Sequence, residues 1–209
     1  MSQATTKSWV RACYWLVVAA SLLLLASQVG HAQPSRARQA QAATCTLEFL
    51  RAHQTVRETQ GNNAGPGVRA LVLAGGGEYT ATYHPEYCGF SQAAANRSCG
   101  LPIPRNGMQG AAKSWAPLTG PDAGRTLFHR AAGRGSIDSI RVGLKACFDY
   151  GRGLHHVAAV DELGRPVRAG RAPRSVWTWA GNEGKGTNAG MHRTLYPIGA
   201  IDALSNWNY

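Results

Sequence analysis

The 209-residue chain is short of acid: 11 Asp and Glu stand against 22 Lys and Arg, for a formal charge of +11. It has five cysteines with no Cys-x-x-Cys pair and no His-Glu-x-x-His, so the ligand spacings of the common zinc sites are missing. No internal repeat is present, and the Gly-rich stretches read as turns, which excludes a solenoid. The one long apolar run, Cys13 to Ala26, is 14 residues. As a helix it reaches about 21 Å, short of the roughly 30 Å hydrocarbon core of a bilayer, which argues against a stable membrane anchor.

That run follows Lys7 and Arg11 and leads into Gly30-His31-Ala32, small residues at the −3 and −1 positions of a cut. Residues 1–32 therefore read as a secretory signal peptide, and the absence of a cysteine at the cut argues against a lipoprotein. Export to the periplasm or the extracellular space is expected. Removing Lys7 and Arg11 with the leader lowers the charge from +11 to +9. A basic exported product suits nucleic acid, anionic lipid or anionic wall polymer, and export favours the wall over nucleic acid. The arginines are spread singly from Arg51 to Arg193, as on a solvated basic surface.

About 177 residues remain, enough for one domain. Residues 33–44, rich in Gln, Ala, Ser and Arg, read as a flexible tether, which places the domain at 45–209. Helices are expected at 46–58, 68–73, 88–98 and 109–115, then strands at 140–150, 156–163, 175–181 and 192–197. Helices first and an antiparallel sheet second make an α+β domain.

Cys88 opens the helix expected at 88–98, His156 opens a strand 68 residues later, and Asn182 closes another strand 26 residues beyond that. A free thiol titrates near pH 8.5, so a nucleophilic cysteine needs a helix N-terminus and an imidazole to ionise it, and a third polar group to hold the imidazole. If Cys88 is that nucleophile it stays unpaired, leaving one disulfide and one spare thiol among Cys45, Cys99 and Cys147. Cys99 is not a partner for Cys88, because the two ends of an 88–99 helix lie about 16 Å apart along its axis. The strand pattern puts His155 and His156 on opposite faces, and the residues alone leave both open as the base.

Several segments resemble cell-wall hydrolases of the CHAP type, the cysteine, histidine-dependent amidohydrolases/peptidases. Val56-Arg57-Glu58, followed by Gly61-Asn62-Asn63 and Gly65-Pro66, is similar to the opening of that family. Tyr87 precedes Cys88 as an aromatic precedes the family's nucleophile, His156-Val157-Ala158-Ala159-Val160 resembles its histidine strand, and Thr178-Trp179-Ala180-Gly181-Asn182 resembles its Thr-Ile-Glu-Gly-Asn segment. The likeness runs from about residue 46 to 204. NlpC-like peptidases share the Cys-Gly-Phe flavour of Cys88-Gly89-Phe90.

The resemblance implies a papain-like fold and a monomeric, cofactor-free and metal-free peptidoglycan hydrolase, which cuts the stem peptide or the muramoyl-alanine amide. It selects His156 as base, gives Asn182 the orienting role, and places Tyr87 and Gly89 at the oxyanion and substrate. One departure stands out: Ala180 occupies the position of the family's glutamate. The rival expectation is a catalytically silent wall-binding or structural protein whose Cys88 is consumed in a disulfide.

Overall fold

The computed structural model describes residues 34–151, 153–164, 173–184 and 188–209. The leader expected over residues 1–32 lies outside them.

Three α-helices come first among the described residues. α1, Arg36–Ala52, starts at Ser35, whose hydroxyl accepts the Arg38 N–H at 3.3 Å as an N-cap. This corrects the flexible tether expected over 33–44: the fold begins ten residues before Cys45. The run Arg36-Ala37-Arg38-Gln39-Ala40-Gln41-Ala42-Ala43 is polar, but each residue is a good helix former. The helix is secured by burial of Ala43, Leu47 and Leu50 on one side. Ala43 seats so close to Gly143 that a Cβ there would come within 2.2 Å of the alanine methyl.

α2, Pro66–Ala74, has Pro at its first position, where the missing N–H costs nothing, and stops at Gly75. α3, Cys88–Ser98, coincides with its sequence expectation. It ends at Gly100 (φ 64°), with the Gly100 N–H on Arg97 O at 3.0 Å and the Leu101 N–H on Asn96 O at 2.8 Å, the paired bonds of a Schellman turn. The expected helix at 109–115 contracts to a single 3₁₀ turn, Ala112–Trp115.

The second half forms one antiparallel sheet of β1 (Thr126–His129), β2 (Arg134–Gly135), β3 (Lys145–Asp149), β4 (Leu154–Leu163), β5 (Ser175–Glu183), β6 (Gly190–Pro197) and β7 (Ala203–Ser205). Its order is β2-β1-β7-β3-β4-β5-β6. The chain is thus α+β, with four strands where they were expected and three, β1, β2 and β7, that were not. Those three are short, and β7 exists because Ala203–Ser205 pairs with both β1 and β3.

β4 is buried on both sides. Val157 and Ala159 pack with the helices, whereas Ala158 and Val160 join Ala146, Phe148 and Leu204 on the other face. Cys45 of α1 is disulfide-bonded to Cys99 at the end of α3, which ties the first helix to the third.

Candidate active site

α3 is bolted to the sheet by side chains of its first two turns. The Ser91 hydroxyl donates to Cys88 O at 2.7 Å and accepts the Gly181 N–H of β5 at 3.2 Å. Gln92 donates to Trp179 O at 3.0 Å and accepts from Lys145 Nζ of β3, also at 3.0 Å. The first residue of the helix, Cys88, is thereby held over the start of β4, its Sγ 3.9 Å from His155 O. It is a free thiol, only 1% exposed, so the pairing on which the silent-protein expectation rests is not the one formed.

His156 is buried beside it and His155 is exposed, so the alternation of β4 sends one imidazole inward and the other to solvent. The His156 imidazole and the Cys88 thiol are near enough to interact electrostatically. Its Nε2 donates to Glu183 Oε1 at 2.9 Å. Burial by itself pulls the imidazole's pKa down. The interaction with Cys88 and the bond to the Glu183 carboxylate outweigh burial and hold it well above the ordinary histidine range.

Glu183 was not anticipated, and Asn182 was expected in its place. The register explains the exchange. Ala180 pairs with His192 and Glu183 with Gly190, so three steps along β5 match two along β6. One extra residue is accommodated as a bulge, where Asn182 takes a left-handed φ of 60°. Because residues 190 and 192 share a face, the bulge brings Glu183 onto the face of Ala180, the side on which the Phe148–His156 pair lies. A carboxylate thus reaches His156 from three positions downstream of Ala180. No hydrogen bond joins the Asn182 side chain to His156. A Gly-Asn pair inside an apolar strand is itself a bulge signal, and is the one sequence feature that pointed to this displacement.

The other two expected residues are enclosed. Tyr87 is fully buried, its ring so close to Gly181 that a Cβ there would meet it at 2.6 Å. Its hydroxyl is shut in beside the Asn182 backbone, and burial pushes its pKa up. This corrects its assignment to the substrate surface: it is a wedge between α3 and β5. Gly89 is pressed against the next loop, where a Cβ would lie 2.3 Å from Gly110 O and 2.4 Å from Gln109 O. Any role for it falls to its backbone.

Two further groups lie beneath α3. Lys145 is completely buried, and burial lowers its pKa to about 7 against a weaker opposing pull from Cys147. Cys147 is the second free thiol, bonded to Ala112 O at 3.7 Å, and burial, followed by the charge of Cys88, pushes its pKa up.

A thiol, an imidazole and a carboxylate in sequence, with the thiol on a helix N-terminus, can perform nucleophilic acyl transfer. No protein-family model, curated protein or solved structure matches the chain.

Proposed function

We propose that the protein is an exported cysteine hydrolase of the papain-like, CHAP type that cleaves an amide bond of peptidoglycan, in the stem peptide or at the muramoyl-alanine linkage. The observation that carries the reading is a buried His156 that bonds the buried Glu183 carboxylate at 2.9 Å and interacts electrostatically with the free thiol of Cys88. The motifs around Val56, Cys88, His156 and Asn182 supply the likeness to wall hydrolases. The Cys45–Cys99 disulfide suits an oxidising, exported location.

In this mechanism Cys88 attacks as a thiolate paired with the His156 imidazolium. The sulfur adds to the amide carbon, and the carbonyl electron pair moves to oxygen, where backbone N–H groups at the start of α3 receive it. As the intermediate collapses, the carbon–nitrogen bond breaks and His156 gives its proton to the leaving amine. The neutral imidazole then takes a proton from water, the hydroxide adds to the thioester, and the carbon–sulfur bond breaks to release the acid and restore the ion pair. Glu183 holds the ring in one tautomer and stabilises its positive form throughout.

Mass spectrometry of muropeptides after incubation with wild type, Cys88→Ala and His156→Ala tests the reading. A new amine terminus made only by wild type is expected and identifies the scissile amide. Identical digests from all three proteins would remove Cys88 and His156 from the chemistry.

A further inference from the structure

Glu183 is 8% exposed and ends a bulged strand, a position from which a carboxylate is free to turn unless something else holds it. Two donors reach it among the described residues. One is His156; the other is Tyr196 of β6, whose hydroxyl lies 3.0 Å from Oε1 and 3.0 Å from Oε2. The tyrosine hydroxyl thus spans the two oxygens, and shares Oε1 with the His156 Nε2.

The tyrosine is itself held in place. Its ring packs on Phe148 with centroids 4.3 Å apart, and Phe148 is the cross-strand partner of His156. One aromatic side chain therefore backs both the imidazole and the phenol. The Tyr150 hydroxyl stands 3.5 Å from that of Tyr196, on the outer side.

We infer that Tyr196 is a positioning residue of this site, which locks the Glu183 carboxylate in the one orientation that fixes the His156 ring against Cys88. The inference rests on the hydrolase reading for its kinetic consequence and on geometry alone for its structural one. Two donors on a buried carboxylate also meet its desolvation cost better than one. Tyr196 remains a donor at every working pH, because burial, then Tyr150 and the Glu183 charge, push its own pKa up. It does not touch the thiol, so its effect passes entirely through Glu183.

The variant Tyr196→Phe keeps the ring on Phe148 and deletes only the hydroxyl. Two readouts are taken. In peptidoglycan hydrolysis, kcat is expected to fall about tenfold with KM within twofold of wild type. In proton NMR without substrate, the downfield resonance of the His156 Nε2–H bonded to Glu183 is expected to broaden or vanish. In a Glu183→Ala background, Tyr196→Phe should cost nothing more.

A wild-type kcat and an intact resonance in Tyr196→Phe would overturn the inference, as would a full tenfold loss in the Glu183→Ala background. If wild type cleaves no wall, the hydrolase reading falls while the resonance still decides the role of Tyr196. Should Tyr196→Phe not fold, 3,5-difluorotyrosine at position 196 keeps the shape but ionises at lower pH. Loss of the His156 resonance on that ionisation is then expected, and its persistence would overturn the inference.

Discussion

His156 Nε2 meets Glu183 Oε1 at 2.9 Å, and the carboxylate reaches that point only because Asn182 bulges out of β5. Orientation of the imidazole therefore belongs to Glu183 and not to Asn182. Glu183→Gln keeps the shape and removes the charge. Losing a hydrogen bond to a charged partner costs about 1.5 to 3 kcal/mol, so a ten- to hundredfold drop in kcat/KM is expected. Asn182→Gly preserves the left-handed backbone and should stay within about threefold of wild type. The reverse ranking in a kinetic assay would return the role to the asparagine.

The raised pKa of His156 sets a pH dependence of known sign. The groups that face its ring are Cys88, Glu183 and Tyr150, with Phe148 as an uncharged neighbour. An imidazolium held above the ordinary histidine value of about 6.5 stabilises the fold fully below that pH, and this contribution is lost as pH rises through the folded value. Chemical denaturation across pH should show stability falling on the alkaline side in wild type and a flatter curve in His156→Gln. Hydrolysis should lose rate over the same alkaline range, since the ring must be charged to protonate the leaving amine.

Lys145 carries the opposite sign. Its amine is bonded to Gln92, lies 5.8 Å from the Trp115 ring centroid and is coupled to Cys147. Its pKa is about 7 in the folded state against 10.5 as the reference, so the unfolded chain binds the extra proton between those values and stability rises with pH there. Above about pH 9 the raised thiol of Cys147 pulls the other way, which confines the rise to roughly pH 7 to 9. Lys145→Met should gain about 1 kcal/mol at pH 6, where wild type must hold a buried charge. At pH 9 it should lose about 1 kcal/mol, through the unpaired Gln92 oxygen. Urea unfolding at the two pH values checks the change of sign, and the same effect at both would refute the buried-charge account.

The Cys45–Cys99 bridge spans 54 positions of sequence, and in the chain-entropy picture a loop of that size is worth about 4 kcal/mol. For a domain of this size that is roughly 10 °C in Tm. Cys45→Ser with Cys99→Ser should unfold about that much lower by calorimetry and lose activity at moderate temperature, because α3 carries Cys88. An unchanged Tm would mean that packing of α1 alone holds the helix.

Much of this was written locally along the chain. The bounds of α3 follow from an Ala-rich run with Gly100 beyond it, and the inward turn of His156 against His155 follows from the two-residue period of a strand. Cys88 and His156 were legible as a pair to be brought together, since a thiol and an imidazole have a recognisable chemistry. The start of the fold was not: Arg36 to Thr44 has the composition of a tether and becomes helical through Ala43 and Gly143, which are a hundred residues apart.

What the sequence by itself determined is the set of local choices: where α3 begins, which face of β4 is apolar, and which residues are able to react. Tertiary structure alone decided who completes the site. Glu183 replaces Asn182 because β6 imposes a register on β5, Tyr196 reaches the carboxylate from a strand with no motif of its own, and Cys99 finds Cys45 across the helix layer. Each of these depends on a distance between segments far apart in the chain, and such distances are set by packing and strand pairing rather than by the neighbours of any one residue.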